Sequence, residues 1–573
     1  MFEKRTGEII TDLLQHWKVN HIFGMPGDSI NELIDDLRKK QDALSFIQIR
    51  HEEVGALAAS AYAKLTGKLG VCLSIAGPGA VHLLNGLYDA KQDGAPVLAI
   101  VGQVKSNQVG TDAFQEINLE RLFDDVAVFN EQAESAEQLP DLVNMAIRTA
   151  YVKNGVSVLI IPDDLAAVKQ KHSQPITAPV LVQPAIIPEQ RVITNAAQLI
   201  NEAKKPVILA GRGAAHSREE LATFAETIQA PVVLSLLGKG TIPDYHELNL
   251  GQHGQIGTKP AYEAIMETDL LLLIGTSFPY RDFLPDHVKA VQIEIRPDKI
   301  GNYYPVTEGL CGDAKKILPQ LTDMVMPKEN SAFLKKYQDK MKNWHIHMQQ
   351  EKRQETDPIV APQVMYALEQ VTNKDAVISC DVGNVTVWTT RYFPFVHQKF
   401  VISGRLATMG SGLPGAIAAK LAYPNKQVVG ICGDGGFGMV MHDFVTAVKY
   451  NLPIKIVVLN NRKIGMIQYE QEEMGNLTYE TDLGEVEFAE FAKSCGGDGF
   501  RIETYEEMAT KMQQAFLSDK PAIIDVAIKD QAPLPGKITY DQALHYGKYL
   551  VKEFFNNGKV DFPSPATSVK RLL

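Results

Sequence analysis

Apolar residues fall along this chain in two ways, as short continuous runs and as stretches with helical spacing, and the two alternate from residue 19 onward. Up to residue 165 the runs NHIFGMP, LGVCLSIAGPG, APVLAIVG and VSVLIIP read as strands, while EEVGALAASAYAKLTG and LPDLVNMAIRTAYV repeat their apolar positions every three or four residues. Such alternation predicts a parallel sheet wrapped by helices, because each crossover helix must bury its apolar face on the sheet. Residues 169–190, KQKHSQPITAPVLVQPAIIPEQ, are rich in proline and polar groups and predict a linker. A second run carries strands in KPVILAGRGA, APVVLSLLG, TDLLLLIGTSF and HVKAVQIEI, and the charged stretch 326–358 predicts a helical connector. The pattern then returns in DAVISCDVGN, QVVGICGDGG, PIKIVVLNN and PAIIDVAI. The expected fold is α/β, with three doubly wound parallel-sheet domains at 1–180, 181–345 and 346–530 and a C-terminal tail at 531–573. The first and third blocks share a pattern, but no unit of 20 to 50 residues repeats, which excludes a solenoid.

Length agrees, since 573 residues exceed what one core can organise. Apolar residues at 45% and charged residues at 22% are ordinary globular values. The net charge of −11 leaves no basic footprint for a phosphodiester backbone, so nucleic acid is not an expected partner. Cys72, Cys311, Cys380, Cys432 and Cys495 are scattered and form no C-x-x-C, as in a reduced cytoplasmic protein. The opening MFEKRTGEIITDLLQHWKVNHIFG predicts an amphipathic helix entering a strand, without the apolar core and cleavage site of a signal peptide. With no apolar run of 18 residues, a soluble, unexported protein is expected.

The chemistry concentrates at strand ends, where open α/β sheets bind ligands. Asp434 stands in the turn GDGG after one strand, and Asn461 closes the next strand in VVLNN. A carboxylate and an amide oxygen at adjacent strand ends can share a hard cation such as Mg²⁺. Gly433, Gly435 and Gly436 let backbone N–H groups approach a diphosphate, and the N-terminus of the following helix adds its positive end. No G-x-x-x-x-G-K-[ST] occurs, so this is not a P-loop.

GDGGFG followed by NN resembles the fingerprint of the thiamine-diphosphate enzymes of the pyruvate oxidase, acetolactate synthase and pyruvate decarboxylase group. The resemblance extends through FGMPGDSI, RHEEVGALAASAYAKLTGK, AGPGAVHLLNGLYDA, AFQE, VQIEIRPDKIG, CDVGN and LATMGSGLPGAIAAK. It implies that Asp434, Asn461 and the carbonyl of Lys463 hold Mg²⁺, and that Gly27 and Asn384 lie against thiamine diphosphate. Glu52 matches the family carboxylate that hydrogen-bonds the aminopyrimidine ring and favours the tautomer that draws a proton from the thiazolium carbon. Met409 resembles the bulky residue that bends the cofactor. Phe114 and Gln115 match active-site positions shared by oxidases and synthases. Glu470 stands where synthases carry a tryptophan that selects the acceptor keto acid, as it does in pyruvate oxidases, whereas Met466 replaces the phenylalanine common in oxidases.

For flavin, the resemblance to oxidases points to Gly211, Arg212 and Gly213, to Thr276, Phe278 and Arg281 in GTSFPYRDF, to Glu294, and to Asp313 and Ala314. Glycine-rich strand ends suit a pyrophosphate, and a strand-end carboxylate suits a ribose hydroxyl. The implied activity is oxidative decarboxylation of pyruvate to CO₂ and acetate with thiamine diphosphate, Mg²⁺ and FAD, electrons passing to a quinone. The rivals are oxidation by O₂ with phosphate, giving acetyl phosphate, an acetolactate-type carboligase, and a catalytically dead scaffold. In this group Glu52 and the Asp434 site come from different subunits, so a homotetramer is expected. Tyr546, Leu550 and Phe554, spaced by four, with Lys570, Arg571, Leu572 and Leu573, suggest a tail able to touch the inner face of a membrane.

Overall fold

The continuous apolar runs become the inner strands of three six-stranded parallel sheets. The computed structural model describes residues 3–171, 186–329, 331–533, 548–550, 552 and 553. In the first sheet the strands are His21–Gly24, Ser45–Gln48, Gly70–Ser74, Val97–Gln103, Ala127–Gln132 and Val156–Pro162; numbered in chain order, they lie 2-1-3-4-6-5. The third sheet, Val377–Cys380, Lys399–Val401, Val428–Gly433, Lys455–Asn460, Asp498–Ile502 and Ala522–Ala527, has the same order. The shared order makes the two domains structural repeats. The middle sheet, Pro206–Ala210, Val232–Leu234, Asn249–Gln252, Leu270–Ile274, Lys289–Glu294 and Glu308–Cys311, lies 3-2-1-4-5-6, the order of dinucleotide-binding folds.

Two features went unanticipated. Glu3–Arg5 pairs antiparallel with Lys169–Lys171, so the first three residues of the expected linker belong to a ribbon closing the first domain. That pairing is made by backbone groups between polar residues, which leaves no hydrophobic trace. The helical connector is Ala332–Lys352, and the boundary expected at 345 falls inside it. Among the described residues no helix is long and apolar enough to cross a membrane. Of the tail, Tyr546, Phe554 and Lys570 to Leu573 lie outside the described residues.

The first and third domains share one apolar core. At its centre the helix Glu52–Thr66 (EEVGALAASAYAKLT) packs between Leu84–Asp93 and Gly412–Ala422 (GLPGAIAAKLA). Small residues set the spacing: a Cβ on Gly86 would stand 2.4 Å from the Leu57 nitrogen, and one on Gly70 only 2.0 Å from the Ala59 carbonyl. Charge crosses the same seam. Lys64 Nζ lies 2.7 Å from Asp89 and 2.6 Å from the buried Asp93. The Asp93 carboxylate accepts from the amides of Gly404 (3.1 Å) and Arg405 (3.2 Å), and its backbone carbonyl accepts from Arg212 of the middle domain. Arg405 reaches the middle domain through Tyr303 Oη at 2.9 Å. One aspartate thus touches all three domains. Asp93→Ala, which leaves those amides and part of the Lys64 charge without a partner, is expected to cost on the order of 3 kcal/mol. An unchanged thermal unfolding midpoint would rule out this role.

Candidate active site

Parallel sheets open a crevice where strand order reverses, and in the third sheet that point lies between Val377–Cys380 and Val428–Gly433. The turns leaving these strands are Asp381 to Asn384 and Gly433 to Gly436. A Cβ on Gly433 or Gly383 would meet open space, so ligand can approach both backbones. Asp434 opens the helix Asp434–Val440, buried, with Oδ1 accepting from the Gly435 amide at 3.0 Å and Oδ2 without a hydrogen-bond donor among the described residues. Burial pushes its carboxyl up to about 6. Asn384 Oδ1 is likewise buried without a donor.

Asn461 follows the next strand, and Arg462, held at φ 58°, turns the chain so that the backbone of residues 462 and 463 runs beside Asp434. A Cβ on Gly465 would lie 2.7 Å from Asn384 Nδ2 and 3.1 Å from Asn461 Nδ2, so the two asparagines flank this glycine. Asp434 Oδ2, the Asn384 oxygen and the Asn461 oxygen, which accepts from the Lys463 amide at 3.3 Å, are hard-oxygen donors carried by these turns. They fit a divalent cation of the Mg²⁺ type, with the Lys463 carbonyl as a further donor. Met409 comes to the same place, its Cε 3.3 Å from where a Gly435 Cβ would lie.

Asp381 was not singled out from the sequence. It is fully buried, and burial lifts its carboxyl to about 6. Oδ1 accepts from the amides of Val382 (2.8 Å), Gly410 (2.8 Å) and Ser411 (3.2 Å), and the carboxylate lies against Gly436. It fastens the Met409 turn to the Gly433–Gly436 turn. Asp530 was missed too: it accepts from Asn461 Nδ2 (3.3 Å), Gln468 Nε2 (3.1 Å) and Tyr469 Oη (2.8 Å), anchoring the helix Gly465–Glu473. That helix carries Met466, half-buried, and Glu470, exposed. Lys552 of the tail donates to the Gly475 carbonyl at 2.6 Å, just beyond its end.

In the first domain Glu52 begins its helix, 7% exposed, with Oε2 2.9 Å from His82 Nδ1. His51 stacks on His82 at 4.3 Å and meets His442 of the third domain edge-on at 5.9 Å. His82 also escaped the sequence reading; its signal is its place in GPGAVH, where Gly79 packs against Glu52 Oε1. Gln115 sits at φ 64° against Gly77, and its neighbour Phe114 is 87% exposed. Gly27 packs on Ile75. Within one chain, among the described residues, the Glu52 cluster and the Asp434 turn share no hydrogen bond or ion pair.

The middle-domain candidates line up at the ends of strands 1, 4, 5 and 6. Gly211 and Gly213 pack against Gly275 and Thr276, where a Cβ would come within 2.5 to 2.7 Å, and their amides already donate to Ile274 and Gly275. The amides of Thr276, Ser277 and Phe278 meet no acceptor among the described residues, and they are the donors suited to a pyrophosphate. Phe278 is buried against His253 at 5.2 Å. Glu294 has its carboxyl pushed up by burial. Asp313 caps the helix Ala314–Met324 through the Lys315 amide, and Arg281 donates to the Asn302 carbonyl.

Three family profiles match in succession: thiamine pyrophosphate enzyme, N-terminal TPP binding domain, at 4–122; central domain at 193–321; and C-terminal TPP binding domain at 381–526. The chain belongs to the thiamine pyrophosphate enzymes. Among relatives, a Bacillus subtilis (strain 168) protein named only as thiamine pyrophosphate-containing, YdaP, is 53% identical over 573 residues, covering 100% of both chains. Pyruvate oxidase of Lactiplantibacillus plantarum is 35% identical over 547 residues, 94% of this chain and 91% of its own. The acetolactate synthase large subunit of Corynebacterium glutamicum is 32% identical over 589 residues, 98% of this chain and 94% of its own. A cation held at this turn would call for an ionised Asp434. Affinity for Mg²⁺ with thiamine diphosphate should fall as pH drops through about 6, where that carboxyl takes up its proton. Asp434→Ala should remove Mg²⁺-dependent binding by 100-fold or more in calorimetry, an order set by losing a charged ligand; unchanged affinity would overturn the assignment.

Proposed function

We propose that the enzyme oxidatively decarboxylates pyruvate to CO₂ and acetate, using thiamine diphosphate, Mg²⁺ and FAD and passing electrons to a quinone. The observation that carries this reading is the middle sheet: its 3-2-1-4-5-6 order and the open amides of residues 276–278 suit a dinucleotide in a chain that also binds thiamine pyrophosphate. A pyruvate oxidase relative spanning nearly the whole chain supports it. Glu470 favours oxidase over synthase, since its carboxylate stands at the position where a tryptophan would shape a second keto-acid pocket.

When bound, thiamine diphosphate would supply the carbon nucleophile and electron sink for decarboxylation, and FAD would supply the two-electron acceptor. The residues bind and orient. Asp434, Asn461 and Lys463 would hold the cation. Asp381 fixes the turn that presents Met409. Glu52, desolvated and in contact with His82, keeps a carboxylate where the aminopyrimidine needs a hydrogen-bond partner. Phe114 and Gln115 of one subunit complete the site of another, which accounts for the exposure of Phe114 and for the separation of the Glu52 and Asp434 clusters.

Mixing with pyruvate without oxygen, followed by separate additions of a quinone and of O₂ with phosphate, tests the reading. Flavin bleaching, then acetate formation on addition of quinone, is expected. Acetyl phosphate formed only with O₂ would move the acceptor to oxygen, and acetolactate with the flavin still oxidised would establish the synthase reading. Glu52→Gln should keep the fold yet lose at least about 100-fold in kcat, the scale of acid–base assistance. Near-normal kcat at saturating cofactor would exclude that role.

A further inference from the structure

Two histidines converge on the Glu52 carboxylate beyond the ends of strands 2 and 3 of the first sheet. His51 is the residue before the helix Glu52–Thr66, in extended backbone at φ −147°, and His82 closes the short helix Pro78–His82. Gly79 lets the second helix come close, since a Cβ there would stand 2.9 Å from Glu52 Oε1. His82 Nδ1 thereby reaches Glu52 Oε2 at 2.9 Å, and its ring stacks on that of His51 at 4.3 Å. One ligand atom from each of His51, Glu52 and His82 lies within 4.8 Å of the other two.

Solvent reaches this cluster. The His51 and His82 side chains are 36% and 42% exposed, so both rings can turn and an ion can approach them. Glu53 Oε2, 3.9 Å from His51 Nδ1, adds a second negative charge, and among the described residues no lysine or arginine pairs with either glutamate. Two imidazoles and a carboxylate are the donors of an open zinc site, whose bonds of about 2.0 to 2.2 Å place neighbouring ligand atoms roughly 3.4 Å apart. Rotation of the half-exposed rings covers the difference. Imidazole selects ions such as Zn²⁺, whereas the oxygen donors around Asp434 suit Mg²⁺. One chain thus presents two donor sets of opposite preference.

We propose that His51, Glu52 and His82 bind a divalent transition ion of the Zn²⁺ type, and that this ion and thiamine diphosphate exclude one another by competing for Glu52. The exclusion rests on the role proposed above for Glu52 as the partner of the aminopyrimidine; the binding rests on the three side chains alone. The site is open to metal in the cofactor-free enzyme and closed in the loaded one.

Cobalt serves as the probe, because Co²⁺ absorbs visible light strongly in a four-coordinate site with nitrogen ligands and only weakly among six oxygens. The full-length protein, freed of Mg²⁺ and thiamine diphosphate, is titrated with Co²⁺ and then with Zn²⁺. A strong, saturable absorption at one ion per chain is expected, reversed by Zn²⁺, unaffected by Mg²⁺ alone, and prevented by saturating thiamine diphosphate with Mg²⁺. His51→Gln and His82→Gln, both at half-exposed positions, should each weaken Co²⁺ binding about tenfold or more, since even an outer partner of a metal ligand is worth that much. No saturable absorption, or wild-type affinity in both variants, would overturn the proposal. So would an intense near-ultraviolet band from thiolate, which places the ion on a cysteine. Binding that is lost in both variants yet undiminished by saturating cofactor would uphold the metal site and overturn the role given to Glu52.

Discussion

Everything in this chain hangs on the close approach of one small-residue helix to its neighbours. Glu52–Thr66 carries alanine, serine and glycine where most buried helices carry leucine, and it lies against Leu84–Asp93, Gly412–Ala422 and the strand Gly70–Ser74, at distances that leave Gly86 and Gly70 no room for a Cβ. Contacts so short cannot be relaxed by a rotamer change, because backbone meets backbone. The helix is therefore fixed along its axis, and so is its first residue. Glu52 takes its position from a packed core that joins two domains, not from a loop.

The same core explains what could be read from sequence. In each sheet the four inner strands stand out as continuous apolar runs, and the two edge strands do not. Ser45–Gln48, Ala127–Gln132, Lys399–Val401 and Asp498–Ile502 are partly exposed and mix polar with apolar residues, since an edge has a neighbour on one side only. Chemistry followed a similar rule. Asp434, Asn461, Asn384 and Met409 lie in turns whose composition announces them, and the structure brings them together. Asp381, His82 and Asp530 act through partners 29, 30 and 69 residues away, and pairing at that range leaves no local pattern. Arg212 and Asp313 each have a contact unforeseen in their motifs, a domain seam for one and a helix cap for the other.

Two strand orders divide the labour within one chain. The repeated 2-1-3-4-6-5 sheets reverse direction between strands 1 and 3, and each puts a carboxylate near that reversal, Glu52 in one and Asp434 in the other. The middle sheet reverses between strands 1 and 4 and offers turn amides in place of a carboxylate. A carboxylate recruits a cation or a proton, whereas open amides recruit an anion directly. Asp93 and Arg405, by bridging the domains, hold these unlike crevices in a constant relation.

The buried oxygens of Asp434 and Asn384 have a consequence beyond chemistry. Among the described residues neither of these two oxygens has a hydrogen-bond donor, and a bound cation would take the place of one. Anything that binds the folded state alone raises its stability in proportion to the logarithm of free ligand. A ligand held at residues 381–384 and 433–436 would therefore keep those turns closed against local opening, the step that exposes a segment to proteases.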